Sequence, residues 1–135
     1  MKKIFLLFVV FCCFQKVQSQ TESVITEEAQ VINVSNVEEK PEFPGGENVF
    51  YKFIANNFNI PDVKGGLNGK VIISFVVEKD GSLTDFKIIN DLGYGTGDEV
   101  IRVLRLCPKW KPAKQKGTPI RCSYTIPITI NTKED

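Results

Sequence analysis

The run Ile120–Ile130, Ile-Arg-Cys-Ser-Tyr-Thr-Ile-Pro-Ile-Thr-Ile, decides the fold because it alternates with a period of two. Its even-numbered residues are mostly apolar and its odd-numbered residues are mostly polar. This period predicts a β-strand with one buried face. Pro127 has no backbone N–H to donate, so the strand is predicted to lie at a sheet edge. The unpaired backbone of an edge strand can bind another extended peptide.

Four further elements are predicted before this strand: a helix over 47–57, a strand over 70–78, a second strand over 83–89 and a helix that starts at Thr96. Asp80-Gly81 predicts a hairpin turn between the two strands, which should pair antiparallel. Thr96 and Glu99 match a capping box at the start of the second helix. The order predicts an α+β fold, a two-layer sandwich in which two helices cover one side of a three-stranded antiparallel sheet. Its core is β-β-α-β with a preceding helix.

The N-terminal part of the 135-residue chain has the pattern of an export signal. Residues 1–19 have a basic start, an apolar run over Ile4–Phe14 and a small residue at Ser19, which predicts a secretory signal peptide. The apolar run is shorter than the ~20 residues that span a bilayer. Residues 20–40 are interpreted as an acidic leader and residues 41–131 as one domain. An uncleaved signal, which would anchor the protein to the inner membrane, is the alternative.

Charge is distributed unevenly along the chain. Residues 22–47 contain seven acids and one base, whereas residues 100–132 contain seven bases and no acid. Lys109, Lys111 and Lys114 are candidates for steering acidic partners, and a solvated basic face is the alternative. Trp110 is a candidate contact, although a tryptophan after a helix more often closes the edge of a core. Nucleic acid is not an expected partner for an exported protein.

The sequence offers no set of residues for catalysis. It has no histidine, which is the commonest general base and the commonest metal ligand. Cys107 and Cys122 lack the spacing of redox or zinc sites. A disulfide between them is one prediction, and buried free thiols are the alternative. We therefore expect no catalytic residue, no metal and no cofactor, and a protein that is not an enzyme.

Several segments in this order resemble the C-terminal domain of the TonB family. They are 37–46 (VEEKPEFPGG), 69–81 (GKVIISFVVEKDG), 108–113 (PKWKPA) and 126–128 (IPI). The resemblance covers about residues 31–130. It implies a fold like the TonB and TolA C-terminal domains and a periplasmic location. It also implies docking on outer-membrane transporters, whose N-terminal peptide, the TonB box, pairs with the last strand. Inner-membrane motor proteins supply the energy in such families.

These observations assign peptide binding by strand addition to the first part of the last strand: Arg121, Cys122, Ser123, Tyr124, Thr125 and Ile126. Two alternatives stay open at this point. Residues 31–34 of the same chain could cover the edge, or two copies could pair as a homodimer, which would make the protein a periplasmic scaffold without a transporter partner.

The chain also departs from the family pattern. Members that transduce energy have a membrane-spanning helix and a long periplasmic stretch, whereas the leader here has about twenty residues and reaches at most ~70 Å. We therefore expect docking without transmission of force, unless the N-terminus is retained and engages the motor proteins.

Overall fold

The strands and helices follow in an order that places the last strand inside a sheet. A computed structural model describes residues 30–132, so the predicted signal peptide and residues 20–29 of the leader lie outside the described residues. The elements are β1 Val31–Asn33, a 3-10 helix Val34–Asn36, α1 Glu47–Asn57, β2 Asn68–Val77, β3 Leu83–Asn90, α2 Thr96–Arg105, β4 Lys114–Gln115, β5 Thr118–Pro119 and β6 Arg121–Asn131. Within residues 30–132, no helix is long and apolar enough to cross a membrane.

The main sheet has four strands in the order β1-β6-β2-β3. The antiparallel pairing of β2 with β3 and with β6 follows the prediction. The prediction of a three-stranded, wholly antiparallel sheet is wrong, because β1 adds a fourth strand that runs parallel to β6. This strand lies within the residues that we interpreted as the leader. A second small sheet is formed by β4 and β5.

One face of the main sheet forms the core with the helices. The inward residues of β2 have no exposed surface: Val71, Ile73, Phe75 and Val77. On β6 the even-numbered residues are buried as the alternation predicts, apart from the half-buried Tyr124: Cys122, Ile126, Ile128 and Ile130. The helices contribute Phe50 and Ile54 from α1 and Val100, Val103 and Leu104 from α2. Burial of this apolar surface is the main stabilising term of the fold.

The capping box predicted for α2 is wrong. Gly95 occupies the N-cap position with a φ of +73°, and no side chain caps the helix. Thr96 is the first helical residue, and its fully buried hydroxyl donates to the Gly93 carbonyl over 2.8 Å. Glu99 instead accepts a hydrogen bond from the Asn59 backbone over 2.7 Å.

Trp110 closes the core, as its position after a helix predicts. The side chain is 5% exposed. Its ring lies 5.1–6.0 Å from the rings of Phe43, Phe50, Phe75 and Tyr124. Its backbone N–H donates to the Gly81 carbonyl over 2.9 Å, which ties the connector after α2 to the β2–β3 turn.

Candidate functional site

The outer backbone of β6 is unpaired over most of its length. Pro127 lies opposite Ile72 of β2. Because Pro127 has no N–H, this pair cannot exchange two ladder hydrogen bonds, so Ile126 and Ile128 carry the bonds to β2. The backbone groups of the odd-numbered residues therefore point away from β2. In the part of the chain that the structure describes, no strand pairs with this outer side beyond Ser123. We call the outer side of Tyr124–Ile130 the β6 margin.

A groove lies beside the β6 margin, and α1 forms its opposite wall. An aromatic pocket lies at one end, lined by Lys40, Pro41, Glu42, Phe43, Glu47, Phe50, Tyr51, Trp110, Tyr124 and Ile126. An apolar pocket follows, lined by Tyr51, Ile54, Ala55, Phe58, Ile60, Lys70 and residues 127–132. Tyr51 lines both pockets, so the two pockets adjoin each other beside the margin. The groove combines open strand backbone with apolar walls.

Half of the predicted binding strip is covered by the chain itself. β1 pairs with β6 from Val31 opposite Arg121 to Asn33 opposite Ser123. The 3-10 helix that follows β1 also contacts β6, but it adds no strand pairing. The alternative that residues 31–34 cover the edge therefore holds for Arg121, Cys122 and Ser123. Tyr124, Thr125 and Ile126 remain on the open margin.

The comparison with protein families identifies the chain at this point. The model of the C-terminal region of the Gram-negative bacterial TonB protein matches residues 63–131, which span β2, β3, α2 and β6. The chain belongs to the TonB C-terminal family. This membership agrees with the resemblance described above, and it is consistent with TonB-dependent transport in the cell envelope.

Two solved structures are similar to this TonB-family domain, and both are solution NMR structures of the Helicobacter pylori TonB C-terminal domain. The first is 22% identical, with a TM-score of 0.46, and the match covers 65% of this chain and 95% of that chain. The second is 26% identical, with a TM-score of 0.45, and the match covers 68% of this chain and 89% of that chain. Among curated proteins, none matches the sequence.

In this TonB domain, the acidic residues at 39–42 lie along the basic segment 109–114, which follows α2. The backbones of Glu42 and Lys111 exchange two hydrogen bonds of 3.0 and 2.8 Å. Glu39 and Lys114 exchange two more, of 3.1 and 3.0 Å. Lys109 lies 3.7 Å from an Asp80 carboxylate oxygen. The Asp80 carboxylate thus offsets part of the positive charge of Lys109, and steering of acidic partners by these lysines stays a prediction.

The two cysteines lie in apolar surroundings. Cys107 and Cys122 are free thiols in the structure. The disulfide between them stays a prediction. Burial raises the pKa of each thiol to about 11. Both are therefore protonated at neutral pH and unsuited to nucleophilic chemistry. Within residues 30–132, no group of three or more potential metal ligands occurs.

The aromatic pocket of the TonB domain carries negative charge at its rim. Burial, followed by the Glu47 carboxylate, raises the pKa of Tyr51. Burial is also the largest cause that raises the pKa of Tyr124, and the Glu47 carboxylate is the second. Both phenols are therefore neutral at physiological pH, and their hydroxyl groups can donate hydrogen bonds.

The α1 wall is the part of the site that the sequence analysis missed. Tyr51 is 37% exposed and Ala55 is exposed, although both are apolar or aromatic residues on a helix that packs against the core. The sequence signal was Tyr51 itself, which lies outside the apolar stripe formed by Phe50 and Ile54. Such a residue by itself is ordinary, and it indicates a binding surface only together with the other apolar residues that line the groove.

Arg121 is held by an acid of the β2–β3 turn rather than extended toward a partner. Its guanidinium donates to both carboxylate oxygens of Glu78 over 2.8 to 3.0 Å. The Asp85 carboxylate lies 3.7 Å away. Hydrogen bonds from Arg121 hold the pKa of Glu78 below its ordinary value. The pair joins β6 to the β2–β3 turn.

Replacing Glu78 with glutamine should reduce the stability of the TonB domain at neutral pH but not in acid. The depressed pKa means that the charged form of Glu78 stabilises the fold above the unfolded pKa of about 4.3, and that this stabilisation is lost as the pH falls through the folded pKa. Urea unfolding from pH 7 to pH 2.5 measures the difference. Glu39→Gln is the control, because the described residues give its side chain no hydrogen bond or ion pair. A difference that is constant with pH contradicts the prediction.

Proposed function

We propose that this protein is a periplasmic domain that binds N-terminal peptides of outer-membrane transporters by adding them as a strand to the β6 margin. The observation that carries the proposal is the outer backbone of β6, which has no strand partner over Tyr124–Ile130 within the described residues 30–132. Family membership supports a role in TonB-dependent transport. Affinity would come from backbone hydrogen bonds, and export would follow from the predicted signal peptide.

The two available donors on the margin define where the guest pairs. The N–H groups of Thr125 and Thr129 point away from β2, and Pro127 between them offers only its carbonyl. β1 already pairs with the same side of β6 at Arg121–Ser123, which supports the capacity of this side to accept a strand. A guest peptide therefore pairs from Tyr124 onward without displacing β1.

Replacing Thr125 with proline should weaken binding of such peptides by about tenfold or more, because one outward donor is lost and the ring obstructs the guest backbone. The probes are synthetic peptides copied from the N-terminal segments of outer-membrane transporters of the same organism, and the measurement is calorimetric titration. Pro127 shows that a proline fits in this strand. Thr125→Val is the control because it keeps the N–H, and circular dichroism confirms that both variants are folded. Undiminished affinity in Thr125→Pro excludes the β6 margin as the binding site.

Self-pairing through the same margin is the alternative function, a scaffold or dimerisation module. Analytical ultracentrifugation over a hundredfold range of concentration separates the two functions. A monomer at all concentrations supports peptide docking, whereas a tight dimer that Thr125→Pro dissociates supports the scaffold. Engagement of inner-membrane motor proteins is part of the docking proposal only if the N-terminus is retained.

A further inference from the structure

A strand on the β6 margin places alternate side chains in the groove. Neighbouring residues on paired strands point to the same face of a sheet. On β6, Ile126, Ile128 and Ile130 point to the helix side and are buried. Guest residues opposite these three therefore point to the helix side as well, where the groove lies between β6 and α1. The residues between them point to the uncovered face of the sheet, beside Thr125 and Thr129.

The groove offers apolar surface at these alternate positions. Ile126 lines the aromatic pocket, and Ile128 and Ile130 line the apolar pocket. The facing wall includes Tyr51, which is 37% exposed, and Ile60, which is 63% exposed. Large apolar side chains with this much exposed surface gain free energy when a ligand covers them.

β1 already shows the same alternation on the same strand. Ile32 lies opposite Cys122, and it is the half-buried residue of β1. Val31 and Asn33, on either side of it, are exposed. On the paired part of β6, the added strand therefore directs one apolar residue toward the helices and leaves the residues before and after it exposed. The β6 margin is the continuation of the same strand side.

We propose that the groove selects guest peptides at every second residue, accepting apolar side chains opposite Ile126, Ile128 and Ile130, with α1 as the selecting wall. This inference rests on the proposed function and names the class of segment that the margin takes. That class is an extended peptide with apolar residues at alternate positions and no strong requirement at the positions between them. The backbone of β6 gives the affinity that every extended peptide shares, and the groove gives the discrimination.

The first test fills the groove from the α1 side. Ala55 lines the apolar pocket and is exposed, so Ala55→Trp places an indole where the guest side chains would lie. Lys52→Trp is the matched control, because Lys52 is also exposed on α1 and lines neither pocket. The probe is a fluorescent peptide of four valines alternating with four threonines, with two lysines at each end. We expect Ala55→Trp to weaken its binding at least tenfold and Lys52→Trp to change it less than twofold, as measured by fluorescence anisotropy.

The second test uses the unaltered protein and does not depend on the folding of a variant. Each valine and each threonine of the probe is replaced in turn by aspartate. We expect a loss of at least tenfold at the valines that face the groove and less than threefold at the threonines. Equal losses at both kinds of position overturn the inference, and so does undiminished binding to Ala55→Trp.

The two proposals fail in distinguishable ways. If Thr125→Pro weakens transporter peptides but neither Ala55→Trp nor the aspartate scan shows selectivity, strand addition stands and selection by the groove is overturned. If the valine probe does not bind while transporter peptides bind and depend on Thr125, the inference that the groove accepts peptides with apolar residues at alternate positions is overturned as well. If no peptide depends on Thr125, the proposed function itself fails.

Discussion

Replacing Gly81 with alanine is expected to lower the free energy of unfolding by about 3 kcal/mol or more. Gly81 has a φ of +88°, and an added Cβ would lie 2.0 Å from the backbone oxygen of Trp110. The change therefore combines a strained backbone with a contact against main-chain atoms that cannot rotate away. The Gly81 carbonyl also accepts the hydrogen bond from the Trp110 N–H, so relief of the contact disturbs the connector that holds Trp110.

Gly65→Ala is the matched control for this prediction. Gly65 has nearly the same φ, +86°, but a Cβ there would meet no atom within 4 Å. Only the backbone strain remains, and we expect a loss of about 1 kcal/mol. Urea unfolding followed by circular dichroism measures both variants, and emission from Trp110, the sole tryptophan of the sequence, reports on the Gly81 contact directly. Equal losses in the two variants would show that the contact with Trp110 is unimportant.

Replacing Trp110 with alanine should cost about 3–5 kcal/mol of folding free energy, the usual range for removing a buried aromatic side chain. The indole is 5% exposed and lies within about 6 Å of four other rings. Domains of this size are stable by about 5–15 kcal/mol, so the variant will be partly unfolded at modest denaturant concentrations. The change in urea midpoint, followed by circular dichroism, is the measurement.

Trp110→Phe separates the ring contacts from the indole N–H. The buried Nε1 has no hydrogen-bond partner among the described residues. Phenylalanine therefore removes some ring volume but no hydrogen bond, and the loss should be clearly smaller than that of Trp110→Ala. Tyr94→Ala, at a site 68% exposed, should be nearly neutral. A loss in Trp110→Phe as large as in Trp110→Ala contradicts this account of the core.

The elements that local patterns describe could be predicted from the sequence. The period of two in 120–130 and in 70–78 fixed which residues face the core, because a strand with one buried face carries that requirement in its own sequence. The helix predicted over 47–57 has the observed bounds for the same reason. Fold class followed from the order of these elements.

Features that depend on distant contacts were predicted less well. β1 has three residues, and its partner lies ninety residues further along the chain, so its pairing with the last strand was only one of two open alternatives. The α2 cap failed for a related reason. Thr96 and Glu99 fit the sequence pattern, but Thr96 bonds back to Gly93 and Glu99 bonds to Asn59 from the end of α1.

The strand backbone of the candidate site was predicted from the sequence, whereas the side chains that line the groove were not. Pro127 predicted a strand at the sheet edge, whereas β6 lies second in the sheet and its outer side lacks a strand partner only over Tyr124–Ile130 in the described residues. The side chains that line the groove come from α1 and from residues 40–43, which meet β6 only through tertiary packing. Sequence order places them far from the last strand.

The combination of β1 and Pro127 has a consequence for how long a complex lasts. β1 occupies one end of the strand, and Pro127 removes a donor from the middle of what remains. Two identical copies aligned side by side would therefore lack bonds near their shared centre, which protects the domain from fibre-like stacking at high concentration. A guest likewise gains few main-chain bonds, and a small number of bonds gives a short residence time. For the proposed docking function, this predicts complexes that form and dissociate rapidly.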